Sequence, residues 1–287
     1  MTRQKYLFLL PGLLVLLAII LFPLLFTIRV SFSSWDVAQP GLDWAGGRNY
    51  ALMMQDGRFW QSLLRLGFIA VAAVILQYVI GFGLALLVWR DVVLKRFIRV
   101  LFLIPMMTTP VIMSVIWRTI FHESLGPAND LVRLLGFAPV PWLSTGGMAV
   151  VSVIIVEVWQ WTPFMFLLLL AGLLSLPREP FLAAAIDGAG PLRSFMNVTF
   201  PMMAPISIAA LVIRLIESSK IMETVYVMTS GGPGTATETS SYYIYIRGLR
   251  EFQIGYAASL SLTYLIIMIV CLTVIAKLLV RFMIPRG

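Results

Sequence analysis

Cysteine, histidine and charge are all scarce in this chain. Its 287 residues include one Cys and one His. Cys271 therefore has no partner for an intramolecular disulfide, and it falls inside an apolar run, where it reads as packing. His122 stands without neighbouring ligands, which argues against a metal centre. Only 12% of residues are charged against 60% hydrophobic. That is too little polar surface to coat a soluble globule, so the composition places the chain in a bilayer. Catalytic signatures are missing too. The glycine cluster Gly231-Gly232-Pro233-Gly234 lacks the Lys-Ser/Thr pair of a nucleotide P-loop. No nucleophile elbow, zinc-binding helix or kinase set occurs, which leaves an enzyme reading without residues. The net charge of +8 comes from basic residues scattered at helix ends. Membrane topology accounts for that better than nucleic-acid binding.

What the chain has is long apolar runs, near residues 6–28, 66–89, 100–121, 148–174, 203–222 and 257–282. Each approaches the ~20 residues that cross about 30 Å of hydrocarbon as a helix. None shows the ten-residue alternation of a membrane β-barrel. The expected fold is an all-α membrane protein with six transmembrane helices. Arg3 and Lys5 precede the first run, and Ser31 to Ser33 resembles a cleavage site. The run is nevertheless too long for a signal core of about 7–15 residues, and it is read as a retained span.

Loop charge sets the expected orientation. With both termini cytoplasmic, the inner side carries Arg3, Lys5, Arg90, Lys95, Arg96, Arg99, Arg178, Arg193, Lys277, Arg281 and Arg286 against Asp91, Glu179 and Asp187. The outer side carries Arg29, Arg48, Arg58, Arg133, Arg247 and Arg250 against eight acidic residues: Asp36, Asp43, Asp56, Glu123, Asp130, Glu223, Glu238 and Glu251. The positive-inside rule favours this arrangement. Trp35, Trp44, Trp60 and Trp142 then fall in outer loops or at span entries, as an interfacial belt.

Two spans carry polar residues at helical spacing. Glu157, Gln160, Trp161 and Phe164 recur at i, i+3, i+4 and i+7 on one face of the fourth, and Arg214, Glu217 and Ser218 do likewise in the fifth. A charge at the bilayer centre costs about 2.5–3.5 kcal/mol on insertion scales, so these groups are expected to face a wet cavity or each other. Two readings stay open and are compatible. One is a Glu157–Arg214 ion pair joining two helices. The other is a carbohydrate site in which Trp161 and Phe164 meet sugar C–H faces while Glu157, Gln160, Arg214 and Ser218 bond hydroxyls. Pro163 frees a backbone carbonyl on the same helix, which suits a cavity.

Between these spans lies a small-residue helix from Phe181 through Ala183, Ala184 and Ala185, an Asp187-Gly188 break and a second short helix ending near Pro201 and Pro205. Such an element is shaped to enter another protein's cleft. It resembles the cytoplasmic coupling loop of ABC-importer permeases, whose pattern is matched by Ala183, Ala184, Asp187, Gly188, Ala189, Phe195, Pro201 and Pro205. Leu182 stands where that family has Glu. The segment from Tyr226 to Thr239 with Tyr243 and Tyr245, the stretch from Trp117 to Gly126-Pro127 and Asn129, the Arg58-Phe59-Trp60 entry and the opening Pro11-Gly12 helix extend the resemblance over nearly the whole chain. It is similar to the permease subunits of carbohydrate ABC importers of the maltose and glycerol-phosphate type, with a MetI-like transmembrane domain.

The resemblance implies residues 1–58 as an N-terminal transmembrane helix and first outer loop, and 59–287 as the permease core with a cytoplasmic coupling-helix loop at 177–205, between the fourth and fifth spans. It implies ATPase coupling by Phe181, Leu182, Ala183, Ala184, Asp187, Gly188, Ala189 and Phe195, and a substrate pathway on Glu157, Gln160, Trp161, Phe164, Arg214, Glu217 and Ser218. No cofactor is expected on this chain, ATP and Mg being bound by two separate ATP-binding cassette subunits. Further expected partners are a second permease subunit, taken to be a different chain, an extracytoplasmic solute-binding protein, a carbohydrate substrate and the lipid bilayer of the cell inner membrane. No nucleic acid is expected. The rival readings are an ion-driven secondary transporter using Glu157, Arg214 and Glu217 as relays, and a membrane enzyme pairing Glu157 with His122, which sit at different depths.

Overall fold

The computed structural model describes residues 2–38, 40–89 and 95–283. Arg90, Asp91 and Arg286, counted above on the inner side, lie outside the described residues. Among the described residues, five helices are long and apolar enough to cross a membrane: Leu10–Ser31, Gly57–Trp89, Gly146–Leu174, Pro191–Ser218 and Ile254–Met283.

One compact unit comprises residues 1–61 and 243–268. Its first helix, α1 (Thr2–Ser31), contains Pro11 and Pro23. From Leu10 to Leu21 every side chain is exposed and nearly all are apolar, as befits a helix solvated by lipid rather than by protein. After an isolated antiparallel bridge between Ser33 and Trp44 comes α2 (Arg48–Gln55). Buried Asn49 donates to the carbonyls of Ser31 and Ser33 at 2.8 and 2.9 Å, satisfying acceptors at the end of α1. Met53, Phe59, Tyr243 and Leu260 form the core of this unit, flanked by Tyr50, Trp60, Ile244 and Tyr256.

The second unit comprises residues 62–242 and 269–287. The helix α3 (Gly57–Trp89) supplies most of its length here. The expected third span is two helices, α4 (Lys95–Met107) and α5 (Pro110–Ile120). Pro110 causes the break: it lacks a donor and holds Thr109 in an extended conformation, φ −65° and ψ 143°. After α6 (Pro127–Leu134) comes α7 (Gly146–Leu174), against which α4 and α5 pack. Two short helices follow, α8 (Glu179–Ile186) and α9 (Pro191–Ser194). The latter runs through a widened turn into α10 (Phe200–Ser218), so the fifth expected span begins about a dozen residues before its apolar run. Then come α11 (Glu223–Met228), α12 (Ser240–Tyr245) and α13 (Ile254–Met283). Both α10 and α11 pack on α7, and α11 also covers α5.

The core of this unit joins Val74, Phe82, Ala85 and Val88 of α3 to Met165, Phe166, Leu169 and Leu173 of α7 and Met203 and Ala210 of α10. Gly81 sets the α3–α7 distance. A Cβ there would lie 2.9 Å from Met165 Cβ and 3.0 Å from the Phe166 nitrogen, so only glycine permits the approach.

Candidate functional site

The deepest polar residues meet where α3, α7 and α10 pack. Among the described residues Arg214 is the largest fully buried side chain, at 1% exposure, and it is held on every side. Its Nη2 donates to Ser218 Oγ at 2.9 Å and faces Glu157 Oε2 at 3.5 Å. Its Nε donates to Gln77 Oε1 at 2.9 Å, and its guanidinium carbon lies 4.8 Å from the centre of the Trp161 ring. Gln77 in turn donates to the backbone carbonyl of Glu157 at 2.9 Å. An arginine with its fork bonded and its face stacked is the form in which that cation is tolerated out of water.

The predicted residues divide by contact. Glu157, Trp161, Arg214 and Ser218 are brought together. Gln160, almost fully buried, reaches away from them: its Nε2 donates to the Thr108 carbonyl at 3.1 Å, and its Oε1 has no partner among the described residues. Gln160 thus ties α7 to the break between α4 and α5. Phe164 is partly buried. Glu217 is exposed and pairs instead with Lys220 at 3.1 Å. Trp159 lies edge-on to Trp117 at 5.6 Å, on the other side of α7 from Trp161. Gln77 was missed by the sequence reading, and its only signal was being a lone amide in an apolar run.

At the far end of α7, the small-residue helix and its break take the expected form. Ala189 N donates to Ala184 O at 2.9 Å and Gly188 N to Ala185 O at 3.1 Å, with Gly188 at φ +70°. This is the left-handed stop that caps a helix and turns the chain sharply. Asp187 and Ala183 are exposed, Ala184 and Ala189 partly so. Leu182, Ile186, Leu192 and Met196 are all more than half exposed, which makes the segment an apolar surface. Phe181 is anchored instead, 5.5 Å from the Trp89 ring, and Phe195 lies 5.7 Å from Phe82. Both line a cavity of about 640 Å³ with Gly83, Leu86 and Leu192.

A third polar group sits outside the spans. Asp56 precedes α3, and its Oδ1 accepts the N–H groups of Arg58 and Phe59 at 3.0 and 3.1 Å. Its Oδ2 accepts the hydroxyls of Tyr243 and Tyr256 at 2.5 and 2.6 Å. Burial pushes the carboxyl up, but those bonds and nearby Arg247 outweigh it and hold the group below its ordinary range. Burial and the bond to Asp56 both push the Tyr243 hydroxyl up.

Residues 77–286 match the family described as the binding-protein-dependent transport system inner membrane component. The chain belongs to that family. As such a permease it is a membrane component and not an enzyme. It is 36% identical over 261 residues to a probable ABC transporter permease protein, y4oQ of Sinorhizobium fredii, covering 90% of this chain and 84% of the relative. Over 268 residues it is 33% identical to the trehalose/maltose transport system permease protein MalF of Thermococcus litoralis, covering 93% and 90%. Among solved structures the permease fold is shared, at a TM-score of 0.83 and 20% identity over 98% of this chain and 96% of the other, with a bacterial ABC transporter involved in import of the acidic polysaccharide alginate.

Proposed function

We propose that the permease carries a carbohydrate or related polyol inward, along a path bordered by the polar face of α7 and α10. The observation that carries the substrate class is the match, over nearly the full length of both chains, to a permease named for trehalose and maltose transport. Side-chain chemistry supports it. Gln160 Oε1 is a buried acceptor without a donor among the described residues, and Trp161, Glu157 and Ser218 offer the ring and the polar atoms that hydroxylated rings need. Phe164 and Glu217 belong to the same path, on its margin.

The chain crosses the inner membrane six times in this reading, α4 and α5 together making the third crossing. Their span from 95 to 120 would reach roughly 39 Å as helix, enough for the hydrocarbon even with a break. Both termini are cytoplasmic, as the loop charges favour. Residues 1–58 form the N-terminal span and first outer loop, and 59–287 the permease core. The loop 177–205 docks on an ATPase subunit through Phe181, Leu182, Ala183, Ala184, Asp187, Gly188, Ala189 and Phe195. Its exposed apolar surface suits apolar docking, in keeping with Leu182 in place of an acid. Two such subunits bind ATP and magnesium, a second and different permease completes the membrane pair, and an external solute-binding protein delivers the sugar. ATP-driven closure would move the loop as a rigid lever.

The test is co-expression with the neighbouring transport subunits, purification, and uptake of a panel of labelled sugars into proteoliposomes with ATP inside or outside the membrane. ATP-dependent uptake of one sugar class is expected. Uptake driven by a proton or sodium gradient without ATP would favour the ion-driven reading instead.

A further inference from the structure

Asn129 anchors a short helix whose opposite stripe is left exposed by the described residues. Its amide Nδ2 donates to Glu123 O and Val140 O at 2.8 and 3.1 Å, while its Oδ1 accepts from Val140 N and Trp142 Nε1 at 2.9 and 3.0 Å. One buried side chain thereby pins both flanks of α6. The helix ends on the same kind of stop as α8: Phe137 N bonds Val132 O at 3.0 Å and Gly136 N bonds Arg133 O at 2.9 Å, with Gly136 at φ +81°. Ala128, Asn129 and Val132 face the protein. Leu131, Leu134 and Leu135 stand at i, i+3 and i+4 on another face, 63, 82 and 73% exposed, with Leu125 and Phe137 exposed at either end. Asp130 and Arg133 pair at 3.2 Å along the polar edge.

We propose that this stripe is seated in the lipid–water interface of the outer leaflet, with phospholipid as its partner. Three observations select lipid. The stripe follows an apolar surface along the chain, because Val111, Ile112, Val115 and Ile116 of α5, a helix separated from α6 by six residues, are likewise exposed. Trp117, Trp142 and Trp159 gather about the buried Phe121 with neighbouring centroids 5.0 to 5.6 Å apart, Trp159 being exposed and the other two partly so, and tryptophan is enriched at the water interface of membrane proteins. The exposed charges of α6 form an ion pair of zero net charge, so its polar edge suits zwitterionic headgroups and offers no charged patch to a protein. The inference rests on the helices spanning a membrane in the proposed orientation, and is independent of which solute is carried.

The test uses the complete transporter in phosphatidylcholine vesicles, in a Cys271→Ser background with Leu134→Cys or Asp130→Cys carrying an environment-sensitive fluorophore. Leu131→Cys serves where Leu134→Cys does not assemble. The probe at 134 is expected to emit at shorter wavelength than the probe at 130, and to be quenched several-fold more by headgroup-level nitroxide lipid than by aqueous iodide. Iodide quenching equal at 134 and 130 would overturn the proposal, as would shielding of 134 only when solute-binding protein is added. The readout is of lipid contact, so failure to transport any sugar leaves it intact.

Discussion

Arg214 Nε donates to Gln77 Oε1 at 2.9 Å, with both side chains essentially sealed from the surface. Through that bond α3 is joined to α10, and because Gln77 also holds the Glu157 backbone, to α7. Gln77→Leu removes both bonds and leaves an arginine donor unpaired. A loss of about 1–3 kcal/mol is expected, read as a lower melting temperature of the purified complex.

Glu157 and Arg214 should behave as a coupled pair. Arg214→Met leaves a carboxylate buried without its cation, and Glu157→Gln leaves the reverse, each costing about 3–5 kcal/mol. The double variant should recover part of this loss in a cycle of detergent melts. Additive losses would show two independent groups.

The break at residue 188 is a matter of backbone conformation and not of space. None of the described residues lies within 4 Å of a Cβ built on Gly188, yet its φ is +70°. Gly188→Val should therefore cost about 1–2 kcal/mol in left-handed strain, and Gly188→Asn much less. Membrane insertion should survive, while sugar-dependent ATP turnover in proteoliposomes falls for Val and is largely kept for Asn.

Gly81 makes the opposite case, since φ is unrestricted and space is absent. Gly81→Val places new atoms against Met165 and the Phe166 backbone. Overpacking of about 1–3 kcal/mol is expected, read as reduced yield and melting temperature, with Gly81→Ala intermediate.

Asp56 gives a pH signature. Its carboxyl is held below the ordinary range by Tyr243 and Tyr256. Its contribution is therefore fully present above the unfolded value near 3.9, and disappears as pH falls through the lower folded value. Below about pH 4 the wild type should lose stability that Asp56→Asn does not lose. Melting curves of both proteins across pH 3–6 test this.

Much of this was legible in sequence because helical spacing is rigid. The i, i+3, i+4 rows on α7 and α10 located Glu157, Trp161, Arg214 and Ser218, and Asp187-Gly188 announced the stop after α8. Spacing gives a face but not a partner, however. Glu217 shares spacing with Arg214 yet turns to Lys220, and Gln160 reaches the Thr108 carbonyl. Neither contact is written locally. The break at Thr109-Pro110 was hidden because the whole stretch is apolar, and hydropathy is blind to one missing backbone donor. Gln77 belonged to no periodic row, so only packing reveals it.

The central claim is that the α7–α10 polar face borders the sugar path, and transport kinetics of Trp161→Ala against Trp161→Phe test it most directly. Trp161 also stacks on Arg214, so Phe serves as the control that keeps a ring over the guanidinium. With the complex assembled and basal ATP turnover retained, Trp161→Ala is expected to raise the apparent KM for sugar about tenfold, or about 1.4 kcal/mol, with Phe falling between. Uptake by Trp161→Ala indistinguishable from wild type, for the sugar the complex carries, would contradict the claim.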